Sequence, residues 1–209
     1  MSLAIRGLYA ITPERLVREP AALLTAVAAA IGGGAGLIQY RDKWNPPAER
    51  ERLAAALAAL CRARGAAFIV NDDLALAVAS GADGVHLGAA DGSVRDARLR
   101  LGAGAIVGAT CGNSLPRARA AIADGASYVA FGRFFASHTK PDAAPAELAT
   151  LTAARGEFAV PICAIGGLTP DNVRLVQQAG ATLFAAVDGV FGADDIGAAA
   201  RAYVSALEG

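Results

Sequence analysis

The chain has 209 residues, 55% hydrophobic and 18% charged, with 19 basic and 19 acidic side chains. That is enough to bury a sizeable core, and it excludes a disordered chain. Balanced charge without a basic block argues against a nucleic-acid partner, but leaves open small anionic ligands, which need only a local cluster of charge.

In chain order, the opening "MSLAIRGLYAITPERL" has no long apolar h-region, so no signal peptide is read there. The uncharged run Ala21–Ile38 is long enough to raise a membrane span. Its "IGGGAG" core argues otherwise: an Ala-rich helix that stops, turns and enters a strand. Short apolar runs then recur: "LYAIT", "LIQYR", "FIVND", "GVHLG", "IVGAT", "YVAFG", "PICAIG" and "LFAAV". They read as strands buried on both faces. Between them lie segments of helical spacing. In "PPAERERLAAALAALCRARG", Leu53, Leu57 and Leu60 fall on one face. "SLPRARAAIADG" and "TPDNVRLVQQAG" each open on a cap-and-Pro signal and close on Gly.

Eight strand–helix alternations in this length predict an α/β fold, a (β/α)8 TIM barrel forming one catalytic domain over residues 1–209. An open doubly wound sheet would need a Gly-rich fingerprint after the first strand, and "ITPERL" is not one. The cysteines, Cys61, Cys111 and Cys163, form no CxxC and are odd in number. Buried reduced thiols in a cytoplasmic protein are expected.

In a barrel the chemistry sits at the C-terminal ends of the strands. The residues there are Gln39, Arg41 and Lys43; Asn71 and Asp72; Asp91; Thr110; the "ASHTKPDAAPA" loop with Lys140; "AIGGL"; and "VDG". Asp72 and Asp91 end adjacent strands and can face each other. Two carboxylates with an Asn and no Cys or His pair suit a hard cation such as Mg²⁺. Arg41, Lys43 and Lys140 supply charge for phosphates. Gly166 and Gly167 put bare backbone amides at a strand end, where barrels often bind phosphate. The residues alone therefore point to a metal-assisted enzyme handling a diphosphate and a second phosphorylated ligand. Asp73 reads as a helix N-terminal acid, His86 as a packed strand residue, His138 as solvent-facing and Trp44 as a rim cover.

The ordered set "QYRDK", "NDD", "GVHLGAAD", "GAT", "SHTK", "AIGGL" and "AAVDG" resembles the thiamine phosphate synthase family over nearly the whole chain. The resemblance implies a transferase. It joins 4-amino-5-hydroxymethyl-2-methylpyrimidine diphosphate to a thiazole phosphate with Mg²⁺ and releases pyrophosphate, through a pyrimidine-stabilised methylene cation. By matching position, Gln39, Tyr40, Arg41, Asp42, Lys43, Asn71, Thr110 and Lys140 would hold the pyrimidine diphosphate. Arg41, Lys43 and Lys140 would serve catalysis, and Asp72 and Asp91 would hold Mg²⁺. Ser137, His138, Thr139, Gly167, Val187 and Asp188 would line the thiazole phosphate site. Thr110 and Ser137 differ from the family's frequent residues but keep the hydroxyl; Asp188 stands where a phosphate-binding Ser is common. The implied partners are the two small substrates, with no nucleic acid and no membrane, and a homodimer is compatible. A thiazole tautomerase-like isomerase on the same barrel and a non-catalytic thiamine-binding protein are the rival readings. The first has no diphosphate to ionise and no use for so many cations.

Overall fold

Each short apolar run buries both of its faces, and the way to achieve this for all of them is closure. In the structure, a computed structural model that describes residues 5–136 and 144–209, eight parallel strands close into a barrel in chain order. They are β1 Gly7–Ile11, β2 Leu37–Tyr40, β3 Ala67–Asn71, β4 Gly84–Leu87, β5 Ile106–Gly112, β6 Tyr128–Phe131, β7 Ile162–Ile165 and β8 Leu183–Ala186, the last pairing with the first. This is the expected TIM barrel, and each run read as a strand overlaps one.

Parallel neighbours need a crossover, and helices supply it. After β1 come α1 Glu14–Val17 and α2 Pro20–Gly32; after β2, α3 Pro47–Arg64; after β3, α4 Leu74–Ser80; after β4, α5 Val94–Leu101. Next are α6 Leu115–Ala123 after β5, α7 Leu148–Glu157 after β6 and α8 Val173–Ala179 after β7. Two helices, α9 Asp188–Phe191 and α10 Ile196–Glu208, follow β8. The apolar face read in α3 is the buried one: Leu53 and Leu57 are fully covered, and Leu60 is partly so. Burying each such leucine contributes about 1.5–3 kcal/mol. Proline opens α3, and Gly65, at φ 74°, closes it.

The uncharged run Ala21–Ile38 divides as anticipated into α2, a glycine turn and β2. Among the described residues no helix is long and apolar enough to cross a membrane. The glycines also admit α10, since a Cβ on Gly33 would lie 2.5 Å from the Gly197 carbonyl oxygen. Helix α8 departs from expectation. Thr169–Asn172 is a turn, and the helix starts only at Val173. The Asn172 side chain accepts from the Thr169 N–H and donates to the Gly167 carbonyl, so its amide organises the preceding turn instead of capping a helix.

The two-residue strand period separates two cores. Outward residues such as Ile38, Phe68, Val107 and Val129 pack beneath the helices. Inward residues such as Ile11, Leu37, Ile69, Ile106 and Leu183 fill the barrel, together with Tyr9 and Tyr128. The tyrosines need space: a Cβ on Gly108 would stand 2.1 Å from the Tyr128 ring carbon that carries the hydroxyl. At the N-terminal ends of the strands, Arg98 of α5 donates to the carbonyls of Gly102, Ala105 and Gly125 and to the Ser127 hydroxyl. All three cysteines are free and buried.

Candidate active site

Strands β3 and β4 bring the two anticipated carboxylates together. The chain leaves β4 through a turn closed by the Asp91 N–H on the Gly88 carbonyl, at 3.2 Å. This folds the Asp91 carboxylate back over Gly88. A Cβ on Gly88 would lie 2.1 Å from Asp91 Oδ2 and 3.7 Å from Asp72 Oδ1, so only glycine leaves open the place where the acids converge. Lys43 Nζ lies 2.9 Å from Asp72 Oδ2, and Asn71 donates its amide to the same oxygen at 2.6 Å. Burial alone would raise the Asp72 carboxyl. The Lys43 ammonium, the Gly88 N–H and the contact with Asp91 outweigh burial and hold it below the usual carboxylate range. Asp72 has φ 63°, the sole positive φ of a non-glycine among the described residues. Such strain concentrates at functional positions.

Asp73 turns away from this cluster. Its carboxylate caps α4 by accepting from the Leu76 N–H at 2.9 Å and pairs with Arg50 at 3.6 Å. That is the helix-end role read from the sequence.

The β2 end divides by side-chain direction. Gln39 points into the barrel and Lys43 toward Asp72. Arg41 lies over the Trp44 ring at 5.2 Å, and its N–H donates to the Thr12 hydroxyl at the end of β1. Tyr40 and Asp42 place their polar groups within the loop. Tyr40 packs outward against Phe68 and donates its hydroxyl to Asp42 at 2.6 Å. The Asp42 carboxylate also accepts from the Trp44 and Asn45 N–H groups and from the Asn45 amide. Together they form the framework that aims Arg41 and Lys43.

A chain of side chains crosses the barrel interior between two other anticipated residues. Gln39 Nε2 donates to the Tyr9 hydroxyl at 2.7 Å, and the Tyr9 and Tyr128 hydroxyls lie 2.9 Å apart. Tyr128 reaches His86 Nδ1 at 2.8 Å, and His86 Nε2 reaches the Thr110 hydroxyl at 2.8 Å. Burial pushes both phenols well above their ordinary range, so each keeps its proton. Thr110 is exposed at the mouth. Strand alternation puts Cys111 in the outer core and Thr110 on the inner face, and the pairing with β6 shifts register directly after Thr110. His86 is packed and hydrogen-bonded, as read, with a partner at each ring nitrogen.

At the far side, Gly166 and Gly167 have φ 103° and 61°. A Cβ on Gly167 would meet the Ala136 carbonyl oxygen at 2.2 Å, so glycine lets the loops after β6 and β7 touch. Tyr203 of α10 hydrogen-bonds the Leu168 carbonyl and braces that turn. Val187 packs on the top of the barrel interior, and Asp188 opens the four-residue helix α9 with an exposed side chain. The cap of the segment beyond belongs to Asp195, which accepts from the Ala198 N–H. Ser137, His138, Thr139 and Lys140 lie outside the described residues. A cleft of about 940 Å³ opens at the other end of the barrel, lined by Arg6, Phe158, Pro161 and Thr182 among others, and among the described residues none of the anticipated site residues lines it.

Tyr9, Tyr128, Asn172 and Gly88 each lie within a strand or helix run of the sequence, and nothing in those runs distinguishes them from their packed neighbours. The residues that converge fit a hard divalent cation. The donor set is the two carboxylates, whose oxygens border a hollow that a methyl group would fill, while the Asn71 amide turns its N–H to Asp72.

Fold and geometry thus define a (β/α)8 barrel with an acidic pair and flanking cations at its C-terminal mouth. The chain belongs to the family described as thiamine monophosphate synthase, whose model matches residues 8–190. It is 52% identical to the thiamine-phosphate synthase of Chromobacterium violaceum over 200 residues, covering 95% of this chain and 94% of that one. It is 53% identical to that of Methylococcus capsulatus over 196 residues, 94% and 87% of the two chains. Among solved structures it is similar to the thiamine phosphate pyrophosphorylase from Pyrococcus furiosus, with a TM-score of 0.86 and 34% identity, covering 97% of this chain and 95% of that one.

Proposed function

We propose that the barrel carries thiamine-phosphate synthase activity and joins 4-amino-5-hydroxymethyl-2-methylpyrimidine diphosphate to a thiazole phosphate, releasing pyrophosphate. The observation that carries this reading is the convergence of Asp72, Asp91, Asn71 and Lys43 around Gly88, in a chain about half identical to thiamine-phosphate synthases along nearly its whole length.

Asp72 and Asp91 would hold Mg²⁺, which when bound supplies charge neutralisation for a diphosphate leaving group. Lys43 and Arg41 would meet the same oxygens from the β2 end, and the resemblance adds Lys140. Asn71 and Thr110 place the pyrimidine end, and Gln39 lines the floor beneath it. Heterolysis of the C–O bond leaves a methylene cation stabilised by the aminopyrimidine ring, and the thiazole nitrogen attacks it with its own lone pair. No general base is needed, because that nitrogen carries no proton to remove. The work of the protein is alignment of two rings and stabilisation of the departing charge. The thiazole phosphate would be held by backbone amides of Gly167 and of the Val187–Gly189 turn, to which the resemblance adds Ser137, His138, Thr139 and Asp188. The three buried free thiols support a reducing, cytoplasmic setting.

The test is Mg²⁺-dependent pyrophosphate release with both substrates, repeated with each omitted. Release that needs both supports the reading. An isomerase on this barrel would release none, and a binding protein would bind thiamine phosphate without turnover.

A further inference from the structure

The chain Gln39–Tyr9–Tyr128–His86–Thr110 joins five strands by hydrogen bonds of 2.7–2.9 Å. Its direction follows from counting protons. The Gln39 amide N–H fills the acceptor side of the Tyr9 hydroxyl. Tyr9 has one proton, and Tyr128 is the acceptor in line with it. Were Tyr128 to donate back instead, the Tyr9 proton would be buried without a partner, at a cost of about 1–3 kcal/mol. The Tyr128 proton therefore goes on to His86 Nδ1. A neutral imidazole that accepts at Nδ1 carries its proton on Nε2, and that N–H points at the Thr110 oxygen.

We propose that His86 is a positioning residue for the coupling reaction. Held as the neutral Nε2–H tautomer by Tyr128, it fills the acceptor side of the Thr110 hydroxyl and turns the Thr110 proton outward. Thr110 then serves as a hydrogen-bond donor to an acceptor atom of the pyrimidine diphosphate. The last step rests on the proposed function; the tautomer does not. Gln39 sets the polarity of the whole chain, because turning its amide over would reverse every hydroxyl and leave Thr110 an acceptor. A reader of packing alone would assign His86 only bulk, and bulk has no preference between tautomers.

The first measurement is the nitrogen spectrum of ¹⁵N-histidine-labelled, ligand-free protein at neutral pH. The chain has two histidines, and the His86 signals are those lost in His86→Gln. A protonated Nε2 with a bare Nδ1, shifting toward the other tautomer in Tyr128→Phe, is the expected result. A protonated Nδ1, or no change in Tyr128→Phe, overturns the proposal. The second measurement is kinetic. Thr110→Val and His86→Leu should each raise KM for the pyrimidine diphosphate about tenfold, and the double variant should be no worse than either. His86→Gln, which keeps an N–H donor toward Thr110, should recover most of the loss. Additive effects, or equal damage from Gln and Leu, would leave His86 a packing residue. If the wild-type protein released no pyrophosphate, the proposed function would fall while the spectrum still decided the tautomer.

Discussion

Lys43 Nζ and Asp72 Oδ2 form an ion pair of 2.9 Å at the point where the β2 and β3 loops meet. The carboxylate proposed to hold a cation is thus already partnered by the side chain proposed to hold the diphosphate. Binding exchanges partners: Asp72 takes the metal, and Lys43 is released to the substrate. Lys43→Ala should let Mg²⁺ bind the free protein more tightly, by up to about fivefold, since a half-exposed ion pair is worth at most about 1 kcal/mol. The same variant should raise KM for the pyrimidine diphosphate about tenfold or more, through loss of a charge-assisted contact. Calorimetry with Mg²⁺ alone and steady-state kinetics separate the two effects. Weaker Mg²⁺ binding in Lys43→Ala would show that the lysine does not compete for Asp72.

Three neighbouring acids should give two distinct phenotypes. Asp72→Ala and Asp91→Ala should lower turnover by several orders of magnitude and raise the Mg²⁺ requirement, because the metal carries several kcal/mol of charge stabilisation. Asp73→Ala removes the α4 cap. It should cost about 1 kcal/mol of stability with kcat nearly unchanged. A loss of kcat in Asp73→Ala as deep as in Asp72→Ala would overturn the metal assignment.

The loop that aims Arg41 and Lys43 should loosen in acid. Burial would raise the Asp42 carboxyl, but hydrogen bonds from Asn45, Tyr40 and Trp44 outweigh it and lower it. A carboxyl depressed in the folded state contributes stability that is fully present above its unfolded value and fades as pH falls through the folded one. The loop should therefore be intact at neutral pH and released only as pH falls below about 4. Trp44, the chain's single tryptophan, donates to Asp42 and lies beside Arg41, so its emission reports the change directly. Asp42→Asn should abolish the acid transition. A transition that survives in that variant would belong to another group.

Stability and chemistry should separate at Arg98. Its guanidinium gathers the Gly102, Ala105 and Gly125 carbonyls at the end of the barrel away from the acids. Arg98→Ala leaves these partly buried acceptors without their partner, at about 1–3 kcal/mol for the group. The melting temperature should drop by several degrees, while kcat and KM at a temperature where the variant is folded stay within about twofold of wild type. A selective change in KM would reveal a coupling to the mouth.

The strands were legible because short apolar runs have few other uses. The strand ends are legible because in a closed parallel barrel the residues directly after such runs gather at one end. Tyr9 and Tyr128 were not, since they are 119 residues apart and meet only when the barrel closes. Tyr40 and Asp42 enter the expected site only through the resemblance; their directions in the fold follow from the strand alternation and from a carboxylate that accepts three N–H groups of the following turn. Asn172 was hidden inside what looked like a helix start. The segment at Ser137–Lys140 lies outside the described residues, and its place in the site rests on the resemblance.

The left-handed backbone at Asp72 sets what laboratory selection would do to this chain. In that conformation an L side chain costs about 1 kcal/mol or more, and here the side chain also stands beside a second carboxylate. Glycine would relieve both, and asparagine would ease the crowding of charge while tolerating the same φ. A library sorted for thermal survival without substrate should therefore drift toward Gly or Asn at position 72. Its survivors would be well-folded barrels that have lost a proposed metal ligand, so heat resistance by itself is the wrong criterion for improving this enzyme.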